Sequence, residues 1–243
     1  MLTAAVRVFF LSILAITTSG ALPAAAQDPD ADPERLPIPR FVADARGVFA
    51  TYPDAPAIAT FLKVTQDNVP TRGLGLVFGA HVYPLRLGPI TVGVGGEVLF
   101  TRGSRSTTLK TTDNPPKEVE SPTVNARLDG LTPQLSLNFG RRAGWSYVSA
   151  GLGSTTYRVE IAPEDRTAPT VPAPPSAPAA TDSTDESVGA LNYGGGARWF
   201  FKKRLAFSFD IRYYTVRPHV ATATRPALPR KRLVMLSAGL SFR

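Results

Sequence analysis

The stretch Leu205-Ala206-Phe207-Ser208-Phe209-Asp210-Ile211-Arg212-Tyr213-Tyr214 decides how the chain is read. Leu205, Phe207, Phe209, Ile211 and Tyr213 alternate with Ala206, Ser208, Asp210, Arg212 and Tyr214. Successive side chains of a strand point to opposite faces, so a period of two marks a strand whose faces meet different surroundings. One face is voluminous and uncharged. The other is mostly small and polar, with an acid and a base two residues apart.

The same period recurs outward from this stretch. Ile90, Val92, Val94, Val98 and Phe100 alternate with Thr91, Gly93, Gly95, Glu97 and Thr101, Leu99 being the exception. Leu131, Leu135, Leu137 and Phe139 oppose Thr132, Gln134, Ser136 and Asn138, while Val234, Leu236, Ala238, Leu240 and Phe242 oppose Ser237, Gly239 and Ser241. A further strand adds Leu74, Leu76, Phe78, Ala80 and Val82. Eight strands are predicted, at 41–52, 71–83, 90–102, 129–140, 144–158, 188–201, 204–216 and 231–242. Their connections run 18, six, 26, three, 29, two and 14 residues, so long and short alternate. The long ones, 53–70, 103–128, 159–187 and 217–230, are rich in Pro, Thr, Ser and Asp, and connections of such length are rare in a compact soluble domain. Short turns on one rim and long loops on the other describe an antiparallel up-and-down barrel.

The make-up of the two faces separates a membrane barrel from a soluble one. The polar face is built of Gly, Ser, Ala and Thr with almost no Lys, whereas a solvated exterior carries abundant Lys and Glu. An eight-stranded barrel is just wide enough inside for side chains to fill it, which favours small residues there. Six mid-strand charges, Asp44, Arg46, Glu97, Arg198, Asp210 and Arg212, all fall on this face. One Arg turned to lipid near the midplane costs about 2–4 kcal/mol. Several such errors would rival the ~5–15 kcal/mol that holds a domain together. Turned inward, the three acids and three bases can pair, and they are expected to form a lumen charge network.

Aromatic residues collect near strand ends, as interfacial girdles do. Phe41, Tyr83, Phe139, Trp145, Tyr147, Trp199, Phe201 and Phe242 fall toward the short turns. Phe49, Tyr52, Phe100, Tyr157 and Tyr213 fall toward the loops. Two segments fit less simply. The strand over 144–158 shows no clear inner face. Pro133 cannot donate to a ladder, so its strand should begin after it or bulge there.

The first 26 residues read as a cleaved secretory signal. Arg7 precedes the apolar run Val8–Ile16, and Ala24-Ala25-Ala26 forms an A-x-A cleavage pattern. Thr17, Thr18, Ser19, Gly20 and Pro23 break the run short of the ~20 apolar residues a spanning helix needs. Residues 27–40, with four Pro and four acids, are expected to be a disordered periplasmic leader, and 41–243 to be the barrel. The chain of 243 residues has no Cys, which excludes a disulfide scaffold, a thiol nucleophile and thiolate metal sites. Two His residues are too few for a multi-histidine metal site. No catalytic, cofactor-binding or metal residue is assigned.

The architecture resembles the small eight-stranded outer-membrane barrels of the OmpA transmembrane-domain and opacity type. The likeness covers 41–243 and rests on strand number, loop alternation, the Gly-rich segments Gly73–Gly79 and Gly194–Trp199, and an apolar last strand. The resemblance implies residence in the outer membrane of a Gram-negative-type bacterium. It also implies partners in outer-membrane lipid and in the barrel-insertion machinery, which in that family recognises a C-terminal Phe. Here Phe242 is followed by Arg243.

The expected function is non-enzymatic, structural or surface-interacting, through the long loops. Loop 159–187 is acidic: Glu160, Glu164, Asp165, Asp182, Asp185 and Glu186 against Arg166 give −5. The last loop and its flank are basic through Arg217, Arg225, Arg230, Lys231 and Arg232, which would suit an envelope polyanion or a surface partner, although solvated loop charges look the same. The turn residues Arg141, Arg142, Lys202, Lys203 and Arg204 could reach lipid phosphates or be simple polar turns. The alternative is a soluble periplasmic, lipocalin-like barrel holding an apolar ligand. A minor channel and a lipid-modifying enzyme rank lower: a filled lumen leaves no wide pore. His81 lies near the short-turn rim and His219 has no acid near it in sequence. The pI near 10.0 alone does not argue for nucleic acid in an exported chain.

Overall fold

Strands bathed in hydrocarbon can satisfy every backbone group only by closing on one another. In the computed structural model, which describes residues 37–52, 56–110, 118–162, 188–216 and 231–243, they do so. The elements in chain order are β1 (Phe41–Thr51), α1 (Pro56–Leu62), β2 (Arg72–Leu87), β3 (Ile90–Arg105), β4 (Thr108–Lys110) and β5 (Glu118–Glu120). They continue with β6 (Val124–Arg141), β7 (Gly144–Ile161), β8 (Val188–Phe200), β9 (Leu205–Val216) and β10 (Lys231–Phe242). Each barrel strand pairs antiparallel with the next, and β10 pairs with β1, closing eight strands. The small β4–β5 hairpin stands in the connection between β3 and β6.

The strands are longer than the alternation suggested. β3 runs on to Arg105, β6 begins at Val124 rather than at 129, and β7 reaches Ile161. In this upper part Ser104 pairs with Asn125 and Arg102 with Arg127. Backbone pairing continues where the outer face turns polar, and there the contrast between the faces fades. β2 likewise runs to Leu87, past a register shift between Val82 and Leu85 that accommodates Tyr83 and Pro84 opposite Gly93. Pro133 neither starts β6 nor bulges it. It pairs with Gly96 of β3, and the ladder to β7 skips Thr132 and Pro133 and resumes at Gln134 in the same register.

The connection 53–70 is not plain loop. It holds α1 and a 3-10 turn over Gln66–Asn68, and Lys63 ends α1 with φ 55, the left-handed conformation that stops a helix. Ile58 and Ala59 of α1 are buried. The signal 1–26, the leader up to residue 36, residues 163–187 of the acidic loop, the whole loop 217–230 and His219 lie outside the described residues. Of the expected leader, 37–40 are described, and Ile38 and Pro39 are buried, so the end of that segment packs.

Candidate functional site

The barrel encloses a lumen in three layers. Toward the short turns Ile38, Val42, Tyr83, Trp145 and Tyr147 form an apolar cluster with Phe200 against it. Toward the loops Val48, Val77, Leu99, Leu128, Leu233 and Met235 form a second one, and Ile58 of α1 belongs to it. Between them lies charge. All six predicted lumen residues, Asp44, Arg46, Glu97, Arg198, Asp210 and Arg212, are buried there at 1–3% exposure.

They divide into two groups. Arg198 grips Asp44 with both prongs of its guanidinium, Nε donating at 3.0 Å and Nη2 at 2.6 Å, and Ser241 donates to Asp44 Oδ1 at 2.5 Å. The other four interlock: Arg46 contacts Glu97 and lies 3.5 Å from Asp210, while Arg212 donates to Asp210 at 2.9 and 3.1 Å and lies 3.3 Å from Glu97. Gln134 donates to Glu97 at 2.9 Å. Tyr147 joins the groups, because Arg198 lies 4.3 Å above its ring while its hydroxyl donates to Asp210 at 2.8 Å. Three acids face three bases, so each charge taken out of water meets an opposite one. Glu97 and Arg198 belong to different groups.

Tyr147 is a residue the alternation missed, since it counted among the girdle aromatics. Tyr83, Trp145 and Tyr147 instead point inward, as do Tyr52 and Tyr157 near the loops, where the two rings lie 5.7 Å apart. β7 turns Trp145, Tyr147, Ser149 and Thr155 inward, and its Ser and Gly residues on both faces hid that parity. Glycine makes room for these rings: a Cβ on Gly93 would stand 2.8 Å from the Tyr83 ring. Because the Tyr147 hydroxyl serves a buried carboxylate, Tyr147→Phe is expected to cost about 1.5–3 kcal/mol in equilibrium unfolding from lipid vesicles.

His81 is also inside, with Nδ1 3.7 Å from Asp44 Oδ2, in the structural layer rather than at an open mouth. The exterior is the inverse of the lumen. Leu74, Leu76 and Phe78 on β2, Leu135 and Leu137 on β6, and Phe207 and Phe209 on β9 are exposed. Girdle positions are kept by Phe41, Phe139, Trp199, Phe201 and Phe242 at the short-turn end and by Phe49, Phe100 and Tyr213 at the loop end. On β6 the apolar band from Leu131 to Phe139 has the length a tilted strand of ~9–11 residues needs to cross a bilayer. A soluble barrel for an apolar ligand needs the opposite arrangement, and the charged middle layer overturns that alternative.

A closed barrel, apolar outside and charged within, with short turns at one rim and long connections at the other, is an eight-stranded outer-membrane β-barrel. No protein-family model matches the chain, and no curated protein matches it in sequence. Solved structures of the same architecture are similar to it. Neisserial surface protein A has a TM-score of 0.48 at 14% identity, covering 84% of this chain and 97% of that one. OprG from Pseudomonas aeruginosa has a TM-score of 0.42 at 11% identity, over 87% and 98%. Ail, the attachment invasion locus protein of Yersinia pestis, solved with the heparin analogue sucrose octasulfate, has a TM-score of 0.39 at 13% identity, over 84% and 99%.

Proposed function

We propose that this chain is a non-enzymatic outer-membrane barrel, closed to bulk flow, whose loop-side rim binds an envelope polyanion. The observation that carries this reading is a row of three arginines. Arg102 of β3 pairs with Arg127 of β6, and Arg127 pairs with Arg158 of β7. Adjacent strands lie about 4.8 Å apart, and like charges directly opposite one another destabilise a sheet. The row stands one pleat above the exposed Phe100, at the height where lipid gives way to headgroups. With Gly103, Ser104 and Asn125 it lines a surface hollow of about 400 Å³. Arg127 Nε lies 2.5 Å from Asp129, and Glu160 lines the same hollow, so three guanidinium groups face two carboxylates, a net +1. Guanidinium forks bind phosphate bidentately, which suits a phosphorylated glycolipid of the outer leaflet.

The lumen supports the rest of the reading. Its charge network and two apolar layers fill the space a pore would need, and we assign that network a structural role. Residues 1–26 serve as the export signal, and β10, ending in Phe242, as the segment read by the insertion machinery. Purified protein in neutral detergent should bind lipopolysaccharide. The double substitution Arg102→Gln with Arg158→Gln should weaken binding about tenfold, the equivalent of one strong charge-assisted bond. Binding unchanged by that pair of substitutions would remove the rim from the mechanism.

A further inference from the structure

The opposite rim carries a charge pattern the function above does not use. The turn from β6 to β7 bears Arg141 and Arg142, and the turn from β8 to β9 bears Lys202, Lys203 and Arg204. Arg243 stands beside them, and Arg40 and Arg86 stand at the same end near the start of β1 and the end of β2. No acid stands at this rim among the described residues.

Arg243 gathers the turns together. Its backbone N–H donates to Arg204 O at 3.2 Å, its Nε to Lys203 O at 2.5 Å and its Nη1 to Arg142 O at 2.8 Å. Its guanidinium also covers the Phe200 ring at 4.1 Å. Arg243 thus clamps two neighbouring turns and concentrates their charge. Partial burial, and then the Arg142 guanidinium, pull Arg243 below the ordinary guanidinium value. No acid among the described residues offsets this cluster, so it attracts anions.

Depth identifies the source. Trp199, 55% exposed and stacked on Phe207 at 6.4 Å, lies immediately before these turns, with Phe201 and Leu87 exposed at the same level. Aromatic rings of this kind sit at the interface, and basic side chains just beyond them meet headgroup phosphates. We infer that the short-turn rim is a docking surface for the phosphates of anionic phospholipid in the inner leaflet of the outer membrane. A zwitterionic lipid offers the same phosphate without net charge, so the preference should be for the anionic headgroup.

Trp199 supplies the reporter, because Trp145 is enclosed in the lumen at 2% exposure. The full chain, purified from outer membranes, is placed in mixed bilayers of phosphatidylcholine and phosphatidylglycerol, with bromine on the acyl chains of one lipid at a time. Brominated phosphatidylglycerol should quench Trp199 with an apparent association at least about threefold above that of phosphatidylcholine. The preference should fade near 1 M salt, where the screening length falls to ~3 Å. The variant Arg141→Gln/Arg142→Gln/Lys202→Gln/Lys203→Gln should lose it while still migrating as a folded barrel on an unheated gel. The salt response of the unaltered chain tests the same point should that variant not fold. Equal quenching by the two lipids overturns the proposal. So does a preference abolished by an excess of inorganic phosphate, which would make the rim a free-phosphate site. A preference that emerges only after residues 27–36 are removed also overturns it, because the acidic leader would then be the occupant.

Discussion

Asp44→Asn is expected to lower the unfolding free energy of the barrel by about 3–5 kcal/mol, the cost of leaving one partner of a buried ion pair uncompensated. Among the described residues Asp44 is the carboxylate that Arg198 pairs with, and both side chains are sealed between the lumen's apolar layers. The neutral amide keeps the volume and can still accept one hydrogen bond, so packing contributes little to the loss. Arg198→Met alone strands Asp44, although Ser241 still donates to it, and should cost somewhat less. Combining Asp44→Asn with Arg198→Met removes both charges, and the double variant should be markedly more stable than the two single losses added together. Equilibrium unfolding in denaturant from lipid vesicles, followed by tryptophan fluorescence, measures all three. Strict additivity would show that the pair carries no coupling. The corresponding cycle between Glu97 and Arg198 should be close to additive, because the structure places them in separate groups.

That last point shows what the chain does and does not disclose before folding. The inward direction of all six charges was legible from parity, because a strand with one lipid face has only one other face for them. Their partners were not. Strand pairing brings Arg198 of β8 to Asp44 of β1 across the lumen, 154 residues away in sequence, and no local spacing encodes a contact across a barrel. The parity of β7 was hidden for a different reason. Where both faces are built of Gly and Ser, alternation has no amplitude, and the tight approaches that demand those glycines are visible only in three dimensions. Tyr83, Trp145 and Tyr147 were misplaced because aromatic rings fill a lumen layer as readily as they join a girdle. The loop-side ends of β3, β6 and β7 escaped because hydrophobic contrast marks the bilayer and not the strand. The arginine row and the hollow it lines stand in this loop-side region, where the sequence pattern of Arg127 and its neighbours is that of a loop.

The inside-out assignment itself admits a direct test on the lipid face. Leu135 of β6 is 63% exposed and stands midway along the apolar band from Leu131 to Phe139. Leu135→Arg should therefore cost about 2–4 kcal/mol in a bilayer, the midplane value for a cation facing lipid. Leu87 is almost as exposed but closes β2 beside the Gly88 turn. Leu87→Arg should cost only about 0–1 kcal/mol, because its guanidinium can reach the headgroups. Both substitutions remove the same atoms and add the same charge to an outward position, so packing and charge cancel from the comparison and depth remains. A soluble barrel would show no such gradient, since both positions would face water. Equal costs for Leu135→Arg and Leu87→Arg would thus deny the bilayer, whereas a difference of about 2 kcal/mol or more would measure how deeply Leu135 is immersed.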